Sequence, residues 1–414
     1  MNKPQIFPIP KGIEQNKLEV PLTIQKKVDR RQDEPVFFAA GFRPFFLFAA
    51  LQAALMLPLW LAVWSGWLES SLHWPAMVWH SHEMVFGFAG AAVGGFLLTA
   101  VPNWTGTEPV GGRPLITLFV VWLAGRVAFT LAGWLPPVLV AAVELAYLPL
   151  LAVLLAGPLL RARAWHNIAF LPILAVLWLC DLTVLMGNTL VGLHAGIGVL
   201  LVMIAVVAGR IVPSFTRNWL VLNGRPAGVR LYAWIERGGA AGAVVVAAGA
   251  WVVAPTSTIT GILLLAAAVL HLVRLAGWRS LDTRSEPLLW VLHLGYLWLV
   301  VGLALLGIST FSPLLPTPAA LHALTAGCVA TMILGVMSRA ALGHSGRPLT
   351  PARLTVAAYL LVSLGAVMRV AAPLTPVPVV LTLIGGSAWT LAWVLFAIVY
   401  WPILTRPRID GRPG

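Results

Sequence analysis

The sequence predicts an all-α, polytopic membrane protein of about twelve transmembrane helices. Three observations predict it. Hydrophobic residues make up 59% of the 414-residue chain and charged residues only 10%, with a mean hydropathy of +0.90, a balance suited to lipid rather than water. The apolar residues fall into a dozen runs of roughly 20 residues, each long enough to span a bilayer. The basic residues fall between alternate runs, as the positive-inside rule requires.

Residues 1–36 are polar, contain prolines and mix both charges. They lack the apolar core and small-residue cleavage site of a secretory signal and read as a disordered cytosolic tail. Residues 37–405 form the transmembrane domain and 406–414 a short cytosolic tail. The first six helices are expected over 44–66, 80–102, 115–134, 138–159, 166–187 and 190–211. The second six follow over 232–253, 258–277, 287–308, 319–341, 354–372 and 378–404. With the N-terminus inside, the tail, Arg113, Arg161 and Arg163, and the groups from Arg210 to Arg237, Arg274 to Arg284, Arg339 to Arg353 and Arg406 to Arg412 all face the cytoplasm. Arg126, in mid-helix, and Arg369, near an outer helix end, are the two exceptions. The formal charge of +13 therefore encodes orientation in the membrane and not nucleic-acid binding. Cys180 and Cys328 both lie inside apolar runs, so no disulfide framework is expected.

An internal repeat is visible. Gly-Arg-Pro follows the second helix at 112–114, the sixth at 224–226 and the tenth at 346–348, and each of these helices begins with histidine. His82 to Arg113 and His194 to Arg225 are both intervals of 31 residues, and His322 to Arg347 is 25. A fourth Gly-Arg-Pro in the C-terminal tail weakens the tripeptide as a marker, so the matched spacing and four-helix interval carry the inference. The expected plan is a pseudo-threefold repeat of four-helix units, with the second, sixth and tenth helices in equivalent places around an axis normal to the membrane. Such repeats place functional sites at their interfaces.

These helices run from outside to inside, so His80, His82, His194 and His322 gather in the outer leaflet. One such histidine is an ordinary hydrogen-bonding residue at a helix end. Four at one depth point to a metal or haem, because imidazole ligates both and ionisable groups in hydrocarbon cost at least a few kcal/mol unless paired or bound. On the second helix His80, Glu83 and Met84 share a face, while His82 points about 160° from His80. That separation suits His82 reaching toward His322 with His80 serving a second ligand or a propionate, and the reverse assignment is equally open. Met77 and Met84 are soft donors suited to copper, although apolar packing is the commoner use of methionine. Arg369 is placed to pair with haem propionates or to snorkel.

Glycines at 87, 90, 94, 95, 192, 196, 198 and 327 suit either close helix packing or the approach of a bulky cofactor. Arg126, Glu144 and Asp181 come to similar depths in the outer half and read as a buried charge network, structural more readily than a proton route. On the cytoplasmic side His166, His271, His293 and His344 are solvated or structural more readily than they form a second site.

The segments Gly41-Phe42-Arg43-Pro44-Phe45-Phe46, Trp79-His80-Ser81-His82-Glu83-Met84-Val85-Phe86-Gly87 and Gly209-Arg210-Ile211-Val212-Pro213-Ser214-Phe215-Thr216-Arg217-Asn218 resemble the NnrS family. So do Glu286 to His293, His322-Ala323-Leu324-Thr325, Gly335 to Ala340 and Gly343 to Pro348. The resemblance implies a protein of the bacterial inner membrane that contains haem b and copper. It implies a role in nitric oxide metabolism or protection from nitrosative stress. The plan also resembles subunit I of the haem-copper oxidases and nitric oxide reductases, whose second and tenth helices hold a haem between two histidines. That likeness maps the pair to His82 (or His80) and His322. The seventh helix here has no histidine, the sixth lacks His-x-x-x-Tyr and the tenth has one histidine where that superfamily has two. The three-histidine copper centre cannot be assembled in its usual place, which leaves His194 as the candidate metal ligand at the second site.

The expected function is binding or conversion of nitric oxide or a related nitrosyl species, with an oxidoreductase as the enzymatic form and a separate electron donor. A multi-pass transporter or metal-handling protein is the alternative, and it would need a polar path and broken helices. A scaffold without chemistry leaves the coincidence of histidines unexplained.

Overall fold

An apolar segment in lipid has no water for its amides, so it closes its own hydrogen bonds as a helix. The computed structural model describes residues 35–69 and 73–412. Among them twelve helices are long and apolar enough to cross a membrane. The first six are α1 (Phe42–Trp64), α2 (Ala76–Thr105), α3 (Gly112–Thr130), α4 (Pro137–Arg161), α5 (Trp165–Leu185) and α6 (Thr189–Leu222). The second six are α7 (Ile235–Val253), α8 (Thr258–Ala276), α9 (Pro287–Ser309), α10 (Thr317–His344), α11 (Arg353–Leu374) and α12 (Pro378–Thr405). The chain is a multi-pass, all-helical membrane protein.

The expected tail over 1–36 lies outside the described residues except at its end, where Val36–Phe38 forms a short 3-10 turn. The largest departure from expectation is α6, which hydropathy ends at 211 but which continues to Leu222. Helical hydrogen bonding does not require apolar side chains, so the helix runs past Arg210 and Arg217 beyond the apolar stretch. Likewise α2 starts at Ala76, directly after Pro75. Proline's fixed φ and missing N–H suit such a boundary.

Two helices are irregular at matching places. In α2 the backbone widens to π-helix over Glu83–Ala89, and in α10 over Ala323–Val329, in each case directly after a histidine. Single π turns are rare and occur disproportionately at functional sites. By contrast α6 is an unbroken α-helix. Further irregularities interrupt α4 just beyond Glu144, between Pro137–Glu144 and Tyr147–Arg161, and widen the start of α7 to π-helix over Ile235–Gly239.

Close packing fixes these helices against one another. Fully buried Arg43 donates from Nη1 to the carbonyls of Leu404 (3.0 Å) and Arg406 (2.8 Å), which ties the start of α1 to the end of α12. The glycines of α2, α6 and α10 serve helix contact. A Cβ at Gly192 would stand 2.5 Å from the carbonyl oxygen of Cys180, and one at Gly327 would stand 2.6 Å from the Trp298 ring. Both obstacles are firm, one being backbone and the other a large ring. Gly192→Ala should therefore lower stability by about 1–3 kcal/mol as α5 and α6 are pushed apart, read as a reduced thermal midpoint in detergent. An unchanged midpoint would show that these helices separate freely. Cys180 and Cys328 are both free and buried.

Candidate functional site

Each of α2, α6 and α10 leads at its C-terminal end to a Gly-Arg-Pro, so their N-terminal turns lie at the end opposite those basic loops. His80, His194 and His322 occupy those turns, and all three line one cavity of about 320 Å³. This is within the size range of small-molecule sites, roughly 300–1,000 Å³. The wall is mostly apolar, with Trp60, Phe88 and Trp389 among its aromatic members, and Arg369, Thr382 and Ser81 adding polar groups.

The rings are held from behind. His80 stacks on Trp60 with centroids 4.3 Å apart, and its Nδ1 is buried without a hydrogen-bond partner. His194 stacks on Trp251 at 4.0 Å. His322 Nδ1 lies 2.7 Å from the Pro318 carbonyl oxygen and donates to it. Its Nε2 is then an acceptor, and Arg369 Nη2 donates to it across 3.0 Å while Nη1 donates to Thr382 Oγ1 at 2.6 Å. A guanidinium only donates, so both contacts of His322 require the same tautomer. Histidine with Nδ1–H anchored on a carbonyl and an Nε2 lone pair directed outward is the common form of a metal-ligating imidazole.

His82 does not join them. Two residues along a helix is a rotation of about 200°, so while His80 faces the cavity, His82 is fully buried on the far side of α2 toward α3, α4 and α5. Its ring lies flat on Phe129 at 3.6 Å. His82 Nε2 is 2.9 Å from Asp181 Oδ1 and 3.8 Å from Glu144 Oε1, and Nδ1 is 3.3 Å from Glu83 Oε1. Arg126 Nη1 donates to Glu83 Oε1 at 2.8 Å, and its Nη2 donates to Glu144 Oε1. Gln52 Nε2 closes the group by donating to Glu83 Oε2. The widened turn that begins at Glu83 lets consecutive residues, His82 and Glu83, enter the same cluster. Trp122 and Tyr147 donate to the carbonyls of Gly87 and Gly90 along this irregular stretch.

A sequence model described as NnrS protein matches residues 36–408, nearly the whole chain. The chain belongs to the NnrS family. No curated protein matches it. In this NnrS-family protein, the Trp79–Gly87 segment supplies both sites, His80 to the cavity and His82 with Glu83 to the charge cluster. The structure places His80, and not His82, on the same cavity as His322. Arg369 reaches His322 from α11, and Met77 and Met84 line the same cavity.

Two of the histidines at the basic end are otherwise employed. His293 Nε2 meets Thr216 Oγ1 and Nδ1 meets Ser280 Oγ, each at 2.9 Å. His271 meets the Tyr296 hydroxyl at 2.6 Å and the Ala240 carbonyl at 3.2 Å. With both nitrogens of each ring occupied, these two are structural hydrogen-bonding residues. Sequence reasoning anticipated Arg126, Glu144 and Asp181 as a network but missed Gln52, Glu83 and His82 as members. The 160° separation of His80 and His82 was the signal that divided them.

Proposed function

We propose that this protein holds a b-type haem in the cavity between α2, α6 and α10, and there binds or converts nitric oxide or a related nitrosyl species. The observation that carries the reading is the convergence of His80, His194 and His322, from three separate helices, on one mostly apolar cavity that also receives Arg369. The residues fit such a group. Buried His80 Nδ1 lacks a partner, the His322 tautomer puts the lone pair on Nε2, where Arg369 now donates to it, and the indole walls suit a flat macrocycle. His80 and His322 are the residues that would hold the iron in this reading. Arg369 pairs with the propionates, since guanidinium and carboxylate form strong two-pronged bonds. His194, with the Met84 thioether on the same wall, is the candidate site for copper. Bound haem would supply an iron that transfers electrons when both axial positions are filled and takes a diatomic ligand when one is open.

The chain's own contribution is selection and shielding. Inward of the histidines a smaller cavity of about 80 Å³ is lined by apolar side chains of α1, α2, α6 and α10, including Phe46, Phe96, Met203 and Met332. An uncharged diatomic gas dissolves in such surroundings, whereas hydrated ions do not. This disfavours the transporter reading, which needs a polar path. The arrangement of basic loops supports an inner-membrane protein with both termini in the cytoplasm.

Anaerobic addition of nitric oxide to the reduced, detergent-purified protein should shift the Soret band and saturate in proportion to haem. A spectrum unchanged by nitric oxide would contradict the reading. Arg369→Leu should leave the fold intact but weaken haem retention about 10–100-fold, for the loss of a charge-assisted bond of about 1.5–3 kcal/mol. Haem content after extended dialysis measures it.

A further inference from the structure

We infer that the His82 cluster, separate from the haem cavity, is a binding site for a divalent first-row metal cation, with His82, Asp181 and Glu144 as ligands. Side-chain donor atoms of these three buried residues all lie within 4.8 Å of one another. They come from three elements, namely α2, the break in α4, and α5. One imidazole nitrogen with carboxylate oxygens is a borderline-to-hard donor set, suited to Zn²⁺, Mn²⁺ or Fe²⁺.

Formal charge points the same way. Glu83, Glu144 and Asp181 carry three negative charges against the single positive charge of Arg126. Both ring nitrogens of His82 face carboxylates, which only accept, so without a metal the ring is an imidazolium and the cluster is one charge short, inside an apolar bundle where uncompensated charge is very costly. A dication that displaces the Nε2 proton closes that deficit. An independent observation is that Glu144 Oε2 is buried with no hydrogen-bond partner, although its residue is only 3% exposed. Oε2 packs against Gly125, where a Cβ would stand only 2.8 Å from it.

The surroundings are built as support for a metal ligand. His82 presents Nε2 to Asp181 and Glu144 and turns Nδ1 to Glu83, the carboxylate–histidine–metal arrangement that fixes tautomer and ring orientation. Glu83 is in turn fixed by Arg126 and Gln52, and the imidazole plane by Phe129. This inference does not depend on haem in the neighbouring cavity.

The test is metal analysis of the full-length protein in detergent, equilibrated with Zn²⁺ or Mn²⁺ and freed of excess by gel filtration. Wild type should retain one equivalent beyond iron and copper. The His80→Ala, His322→Ala double variant should retain it as well, so failure of the haem reading and failure of this one are separable. Asp181→Asn and His82→Gln should each lower affinity at least 10–100-fold. Because these substitutions can impair folding, wild type is also read directly through the Mn²⁺ electron paramagnetic resonance signal, which should change from that of the aqueous ion. A wild type that retains no such cation and leaves the Mn²⁺ signal unchanged would overturn the inference and show that protons close the charge deficit. Retention undiminished in a folded Asp181→Asn variant would overturn it too.

Discussion

His80→Ala and His322→Ala should each purify as folded protein with at least ten-fold less haem than wild type, whereas His82→Ala should keep its haem. The contrast follows from helical rotation. His80 and His322 line the same cavity, with the lone pair of His322 placed on Nε2 by the bond from Nδ1 to Pro318, while His82 faces Asp181 and Glu144 on the opposite side of α2. In this reading, removing either imidazole would take away one of the two nitrogen donors that hold the iron, and the other histidine on the wall, His194, sits on a third helix. Equal loss in all three variants would mean that the haem is held by the fold of α2 as a whole. Full retention in His80→Ala and His322→Ala would remove both from the ligand set.

Arg126→Leu should prevent accumulation of folded protein. Its guanidinium donates to both Glu83 and Glu144, each buried. Breaking a buried pair on one side costs about 3–5 kcal/mol, because the partner charge stays behind, and here two partners are left. Against a total stability of about 5–15 kcal/mol this is a large share. Arg126→Lys should recover only part of it, since an ammonium cannot serve two carboxylates with the fixed fork of arginine. Adding Glu144→Gln to Arg126→Leu should restore some yield by removing one stranded charge. The amount of monodisperse protein by size-exclusion chromatography reads all three, and a normal yield of Arg126→Leu would show that Arg126 does not compensate these carboxylates. The cluster also bears on the cavity. It grips Glu83 at the start of the π segment and so sets the rotation of the turn that carries His80.

The helices were legible because each is an autonomous apolar run with its own hydrogen bonds. The expected spans miss mainly at polar ends such as Arg217 in α6, where helix outlasts hydropathy. The matched spacing of His82, His194 and His322 pointed to the second, sixth and tenth helices, which do share a cavity, but α2 lines it with His80 while His82 lies in the charge cluster. The division of labour between His80 and His82 was only half legible. Periodicity separates the two side chains by angle but does not say which neighbour lies on which side. The widened turn at Glu83–Ala89 was not legible, because nothing in Glu83-Met84-Val85-Phe86-Gly87 distinguishes a π turn from an ordinary one. Gln52 and the tryptophans behind the histidines were hidden for another reason. They lie far along the chain, and their roles exist only after packing.

The most direct measurement is the reduced-minus-oxidised visible spectrum of wild-type protein purified in detergent from haem-replete cells, with haem quantified per chain. A b-type haem in the histidine cavity predicts Soret and α bands at a fixed ratio of haem to protein. Colourless, folded protein would contradict it.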